Sequence, residues 1–215
     1  MLEVEARWLA RELATLPGDA FPLLDIGSST AAFREDQQSF ISDLVFRPLS
    51  DRGYEVIHAD LRAAPGVDVV MDLTDAADRH RVSSQHQIRT VLCSNVLEHL
   101  SVEPREAARY LVELCRSRGY VIVTVPRRYG YHEDPIDNGF RPSVQQLADL
   151  FPDCEVITST NVVGPVLAVH HARARGWPRY LLRAAVPLYR PRAWAGSVAW
   201  FWRHAEVACV VVRTP

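Results

Sequence analysis

Short apolar runs alternate with stretches of helical spacing along most of the chain. Leu2, Ala6, Leu9, Leu13 and Leu16 recur at alternating intervals of four and three, the spacing of one helix face. Glu3, Glu5, Arg7, Arg11 and Glu12 fill other faces, and Pro17-Gly18 closes the helix. Leu23, Leu24 and Ile26 form a first strand. Phe40 to Arg52 reads as a helix with Phe40, Leu44 and Val45 inward, ended by Gly53. A second strand is expected over Tyr54 to Ala59 and a third over Val67 to Met71, and the polar stretch Arg79 to Arg89 suits a surface helix and loop. Thr90 to Asn95 is a fourth strand. Ser101 can cap the next helix, with Glu103 and Pro104 in its first turn and Ala107, Leu111, Leu114 and Arg118 marking its spacing. Gly119 ends it, and Tyr120 to Val125 is a fifth strand. Ser143 to Gln146 is a capping-box pattern. Cys154 to Val162 and Glu206 to Arg213 complete seven strands. Strand and helix in alternation predict an α/β fold, a Rossmann-like doubly wound sheet, within a single domain over residues 1–215.

Composition narrows the partners. An apolar fraction of 48% and a charged fraction of 23% are those of a globular protein. The net charge of −2 gives no electrostatic footprint for nucleic acid, which is excluded as the main partner. Every basic side chain among the 24 lysines and arginines is arginine, a coding bias and not a chemical signal. Cys93, Cys115, Cys154 and Cys209 are scattered, mostly in apolar runs, as buried free thiols of a reducing compartment are. No metal site is expected. The N-terminus has no signal-peptide pattern and no apolar run is long enough to span a bilayer, so a cytoplasmic location is expected.

The candidate chemistry sits at strand ends. Asp25, Gly27, Ser28 and Ser29 follow the first strand and lead toward a helix. Small residues there let the backbone approach a nucleotide-like ligand, while the Asp25 carboxylate repels phosphate and suits a cation; an ordinary turn fits the same residues. Asp60, with Leu61 beside it, ends the second strand, where related dinucleotide folds accept ribose hydroxyls; a solvated turn aspartate is the plainer alternative. Asp72 and Leu73 close the third strand, with Asp75 expected as the cap of the next helix. A nicotinamide enzyme is disfavoured, because no glycine follows Gly27 closely enough for Gly-x-Gly-x-x-Gly.

Three segments carry a resemblance. Pro-Leu-Leu-Asp-Ile-Gly-Ser-Ser-Thr-Ala is similar to the first motif of the class I S-adenosylmethionine (SAM) methyltransferases, with Ser29 and Ala31 where two glycines usually stand. Ser94-Asn95-Val96-Leu97-Glu98-His99 after the fourth strand is close to the family's post-strand motif. The loop Tyr-Gly-Tyr-His-Glu-Asp-Pro-Ile-Asp-Asn-Gly-Phe-Arg-Pro, Tyr129 to Pro142, resembles that of a bacterial subgroup. The resemblance implies strand order 3-2-1-4-5-7-6 with the last strand antiparallel. It implies SAM as cofactor, held by Asp25, Gly27, Ser28, Ser29, Asp60, Leu61, Asp72, Leu73, Ser94 and Asn95, with Ser94 and Asn95 at its methionine end.

The same resemblance implies methyl transfer, with an oxygen of a sugar-like, nucleotide-sugar or natural-product acceptor in a bacterial biosynthetic pathway as the expected target. His132 is the first candidate base and His99 the second, with Tyr131 beside them; Asp134 and Asp137 share the loop, and a rigid loop in which Arg141 pairs with Asp137 is the alternative. A protein that binds SAM or S-adenosylhomocysteine (SAH) without methylating, or an enzyme of the same fold running another reaction, stays open. Residues 1–17 are expected as a capping helix and 165–203 as a basic, aromatic lid insertion. Arg173, Arg175, Arg179, Arg183, Arg190, Arg192 and Arg203 there meet no acid. A lid, a homodimer face, and peripheral contact with a membrane or lipid-linked substrate through 173–203 all suit that composition.

Overall fold

The computed structural model describes residues 1–129, 136–166 and 203–215. Five strands lie parallel: β1 (Leu23–Ile26), β2 (Val56–Asp60), β3 (Val69–Val70), β4 (Thr90–Ser94) and β5 (Tyr120–Arg128). β7 (His204–Arg213) runs antiparallel between β5 and β6 (Glu155–Val166). The order is β3-β2-β1-β4-β5-β7-β6, the expected one. The inner strands are apolar at nearly every position because both faces are covered. Val91 and Cys93, with Val121 and Val123, join one core; the alternate residues Leu92 and Ile122 join the other, as the two-residue period of a strand requires.

The first core is roofed by α3 (Ala76–His86), α4 (Pro104–Leu114) and α5 (Val144–Ala148) through Val82, Ala107, Leu111, Leu114 and Leu147. The second is roofed by α1 (Glu3–Thr15) and the helical stretch ending in α2 (Arg47–Asp51). The predicted stripe of α1 is the buried one: Leu2, Ala6, Leu9, Leu13 and Leu16 all lie in the core. Burying Leu9 and Leu13 stabilises the docked helix by roughly 2 kcal/mol each.

Four elements differ from the sequence pattern. Helical backbone begins at residue 31, well before Phe40, and widens into π turns over Phe33–Gln37 and Ser42–Phe46; the pattern missed it because the buried side chain of the first π turn is Arg34, not an apolar residue. β3 pairs through two residues only, Val69 and Val70. Its expected start is taken up differently: Asp68 turns its carboxylate to the His58 N–H at 2.8 Å. α3 starts at Ala76, with Asp75 accepting from the Ala77 N–H at 2.7 Å, and β6 runs on to Val166. Among the described residues no helix is long and apolar enough to cross a membrane.

Candidate functional site

The C-terminal ends of β1, β2, β4 and β5 share one edge of the sheet, where open α/β sheets bind ligands. After β1 the chain turns sharply. The N–H groups of Gly27 and Ser28 both donate to Ala59 O, at 2.9 and 3.0 Å, and the Ser29 N–H donates to Asp60 Oδ2 at 2.8 Å. Gly27 has φ +71° and Ser29 φ +59°. The left-handed backbone of a glycine-rich loop is therefore kept at Ser29, where a side chain costs about 1 kcal/mol.

Neighbouring groups hold this conformation. Arg34, 4% exposed, donates through Nη1 to the carbonyls of Ser28 and Ser29 at 2.9 and 2.8 Å, and through Nη2 to Gly66 O at 2.7 Å. Gly27 faces Val96 in the turn after β4: a Cβ on Gly27 would stand 2.5 Å from Val96 Cγ2.

The three strand-end carboxylates each meet a different neighbour. Asp25, buried, accepts from His58 Nδ1 on the adjacent strand at 2.9 Å. Asp60 holds Ser29 through Oδ2, and its Oδ1 has a long 3.4 Å contact with the Arg62 N–H. Asp72 accepts the N–H and hydroxyl of Thr74 at 2.8 and 2.7 Å through one oxygen. Leu61 is 59% exposed and Leu73 is buried.

At the tip of β4 the organising group comes from α1. Glu5 has no exposed surface. Its Oε1 accepts from Asn95 Nδ2 at 2.7 Å and from Thr124 Oγ1 at 2.6 Å, with Ser94 Oγ at 3.1 Å, and its Oε2 accepts the Leu2 N–H at 3.0 Å. Asn95 itself is left-handed, at φ +54°. A buried carboxylate with this many donors is a charge-assisted clamp, and it joins α1, β4 and β5. The sequence pattern placed Glu5 on an outer face. The signal against that was present: Glu5 is three residues from Leu2 and four from Leu9, so it shares their row.

The two segments with the most specific resemblance meet. The turn Leu97–His99 follows β4, and the residues after the undescribed part of the β5 loop pack onto it. Asn138 Nδ2 donates to Leu97 O and Leu100 O, both at 2.9 Å, and its N–H donates to Glu98 O at 2.8 Å. His99 Nδ1 lies 2.5 Å from Ile136 O; a carbonyl only accepts, so Nδ1 carries the proton. Asp137 and Arg141 form an ion pair at 2.6 Å.

Glu98 is fully buried beside them. Neither of its carboxylate oxygens has a hydrogen-bond partner among the described residues, and burial pushes its acid up to about 7. Burial likewise pushes the Cys93 thiol, at the centre of β4, far above its ordinary value, which fits a core thiol and not a nucleophile.

Asp25, Gly27, Ser28, Ser29 and Asp60 are thus brought together at the β1 and β2 tips, Ser94 at the end of β4 with Asn95 and His99 after it, and Asp72 and Leu73 after β3. His132, Tyr131 and Asp134 lie outside the described residues, as does all of the arginine-rich 173–203 stretch except Arg203. Sequence reasoning did not single out Glu5, Arg34, His58, Glu98, Thr124 or Asn138. Among the described residues no group of three or more His, Cys, Asp and Glu is placed to hold a metal ion.

No family model matches the sequence, and no curated protein does. Solved structures match in fold. A Galdieria sulphuraria protein assigned as a sarcosine dimethylglycine methyltransferase superposes with a TM-score of 0.55 at 14% identity, over 97% of this chain and 84% of that one. A SAM-dependent methyltransferase of Archaeoglobus fulgidus gives 0.55 at 12% identity, over 99% and 94%. The 4+2 cyclase SpnF gives 0.50 at 17% identity, over 99% and 80%. The chain has the fold of the class I SAM-dependent methyltransferases.

Proposed function

We propose that this protein is a SAM-dependent methyltransferase acting on an oxygen of a sugar-like, nucleotide-sugar or natural-product acceptor. The observation that carries the proposal is the docking of the 136–141 loop onto the Leu97–His99 turn, at the sheet edge next to the Gly27–Ser29 loop. It gathers a candidate cofactor cradle and a histidine with a fixed tautomer on one side of the fold.

The residues fit the cofactor in kind. Gly27 is held where a Cβ has no room, so the backbone of the β1 loop is the surface offered there. Asp60 keeps acceptor capacity on Oδ1 for a ribose diol. Leu61 and Leu73 offer apolar contact for a base, and Asp72 an acceptor for its amino group. Ser94 and Asn95, locked by Glu5, are assigned to the amino-acid end.

SAM, when bound, supplies a methyl already activated on a sulfonium. What remains for the protein is to hold the acceptor in line and take its proton. His99 is the base assigned from the described residues, and His132 and Tyr131 complete the proposed set. The 1–17 helix and the basic, aromatic 165–203 stretch are assigned to covering the acceptor, the latter with contact to a lipid-linked or membrane surface.

The test is calorimetric titration with SAH, followed by mass spectrometry of candidate hydroxylated acceptors incubated with SAM. Binding of SAH with a gain of one methyl supports the proposal. No SAH binding overturns it. The cyclase of the same fold favours a second reading, in which SAH binds and the acceptor is transformed with no methyl gained.

A further inference from the structure

Arg127 and Arg128 close β5 at the sheet edge that carries the candidate site. Successive side chains of a strand point to opposite faces, yet both guanidiniums reach one carboxylate. Arg127 Nη1 lies 2.7 Å from Glu206 Oε2, and Arg128 Nη1 lies 2.7 Å from Glu206 Oε1. The pairing register of β5 with β7 shifts between Pro126 and Arg128. Such a bulge re-aims a side chain, and here the two arginines converge.

Glu206 is buried and also accepts from Asn161 Nδ2 at 3.2 Å. The arginines lie outward of it, with side chains 40% and 48% exposed. Two cations on one carboxylate leave one positive charge in excess. No other acid pairs with either arginine among the described residues, and each meets Glu206 through Nη1 alone. A guanidinium carries five N–H donors in a planar fork, so both forks keep donors on the Nε and Nη2 side. One arginine would satisfy the charge of Glu206. The second crowds a like charge against the first, a cost that an anion bound between them offsets.

The position suits the acceptor. Thr124, which Glu5 holds beside Ser94, precedes Arg127 by three residues on β5. At roughly 3.3 Å per residue, the arginines lie about 10 Å beyond the proposed methionine end, along the same edge. An acceptor that takes the methyl at one end can place a charged group there with the other.

We propose that Arg127 and Arg128, held by Glu206, bind a phosphoryl group of the acceptor. A carboxylate offers two oxygens and is served by one fork; two converging forks suit a tetrahedral group with three or more. The site's place in turnover rests on the methyl-transfer reading, but its binding of an anion does not. A nucleoside diphosphate sugar and a lipid-linked sugar phosphate share this chemistry.

The test is an amide NMR titration of the full chain with inorganic phosphate. Saturable shifts are expected at residues 127, 128 and 206. Arg127→Gln and Arg128→Gln should each weaken phosphate about tenfold, through loss of charge-assisted hydrogen bonds. Arg127→Lys and Arg128→Lys should restore only part, because lysine keeps the charge and loses the fork. No saturable binding, or unchanged affinity in a folded glutamine variant, overturns the site. If the glutamine variants do not fold, the wild-type map decides: shifts elsewhere and none at 127, 128 and 206 overturn it. Malonate, a dicarboxylate, binding as tightly as phosphate overturns the phosphoryl assignment.

Two further arms name the source. UDP-glucose binding in solution assigns the nucleotide form, and sedimentation with phosphatidylcholine vesicles bearing a polyprenyl phosphate assigns the lipid form. Either should be lost with Arg127→Gln, and binding of neither overturns the acceptor role. SAH titration of the wild type separates the two failures. A chain that binds no SAH overturns the methyl-transfer reading, while the phosphate titration still decides the arginine site.

Discussion

Glu5 on the first helix and Asn95 at the tip of the fourth strand, 90 residues apart, are joined by a 2.7 Å hydrogen bond between a fully buried carboxylate and a side-chain amide. The same oxygen holds Thr124 on the fifth strand. The N-terminal helix is therefore not simply packed over the sheet. It fixes, through one charged group, the backbone from which the proposed methionine-end contacts project.

Removing that group should be costly. Glu5→Ala leaves the donors of Asn95, Thr124 and Leu2 buried without their acceptor and is expected to destabilise the fold by about 3 kcal/mol. Glu5→Gln keeps one acceptor oxygen and should cost about 1 kcal/mol. Urea unfolding measures both. SAH affinity is expected to fall at least tenfold in Glu5→Ala, because Asn95 loses the bond that holds its left-handed conformation.

Gly27→Ala should separate two penalties at one position. Its φ of +71° costs a side chain about 1 kcal/mol, and its Cβ would stand 2.5 Å from Val96 Cγ2. A total loss of about 3 kcal/mol is expected. Adding Val96→Ala should recover the steric share and leave the backbone share, a pattern that equilibrium unfolding of the three variants reads directly.

Asn138→Ala should loosen one loop and spare the core. It removes two side-chain bonds to the carbonyls of Leu97 and Leu100, each contributing about 1 kcal/mol. Amide exchange at residues 136–140 should quicken, while exchange at Val91 and Val123 in the sheet stays unchanged once global stability is allowed for. Turnover should fall more than SAH affinity, because the bonds hold the histidine turn and not the β1 loop.

Stability should depend on pH through Glu98. Burial raises its acid from an ordinary 4.5 to about 7, so the folded state binds the proton more tightly than the unfolded state. Its contribution is complete below about pH 4.5, falls as pH rises toward 7, and is level above that. The loss across the window is on the order of 3 kcal/mol. Glu98→Gln cannot titrate, so its curve of unfolding free energy should be flatter between pH 4.5 and 7 by that amount. A variant curve parallel to the wild type would assign the slope to other groups.

Much of the fold was legible in the chain. Leu23 to Ile26, Thr90 to Asn95 and Tyr120 to Val125 read as buried strands because covered strands are apolar at every position. The α1 stripe read as a helix face because a buried face repeats near every 3.6 residues. Tips of strands are where small and acidic residues collect, so Asp25, Gly27, Asp60, Ser94 and Asn95 could be marked as candidates from type and place. The short β3 and the early π turns were not legible, because Asp68 and Arg34 are polar residues whose use is set by backbone groups far along the chain.

The sequence by itself determined the order of elements and the apolar faces, since these are local periods that packing must respect. Only the tertiary structure decided which polar groups meet. Glu5 finds Asn95 and Thr124, Arg34 finds the carbonyls of Ser28, Ser29 and Gly66, Asn138 finds the carbonyls of Leu97 and Leu100, and Glu98 comes to face His99. Hydrogen bonding is directional and acts over about 3 Å, so such partners are fixed by how strands from distant parts of the chain are registered against one another, a quantity that no local pattern encodes.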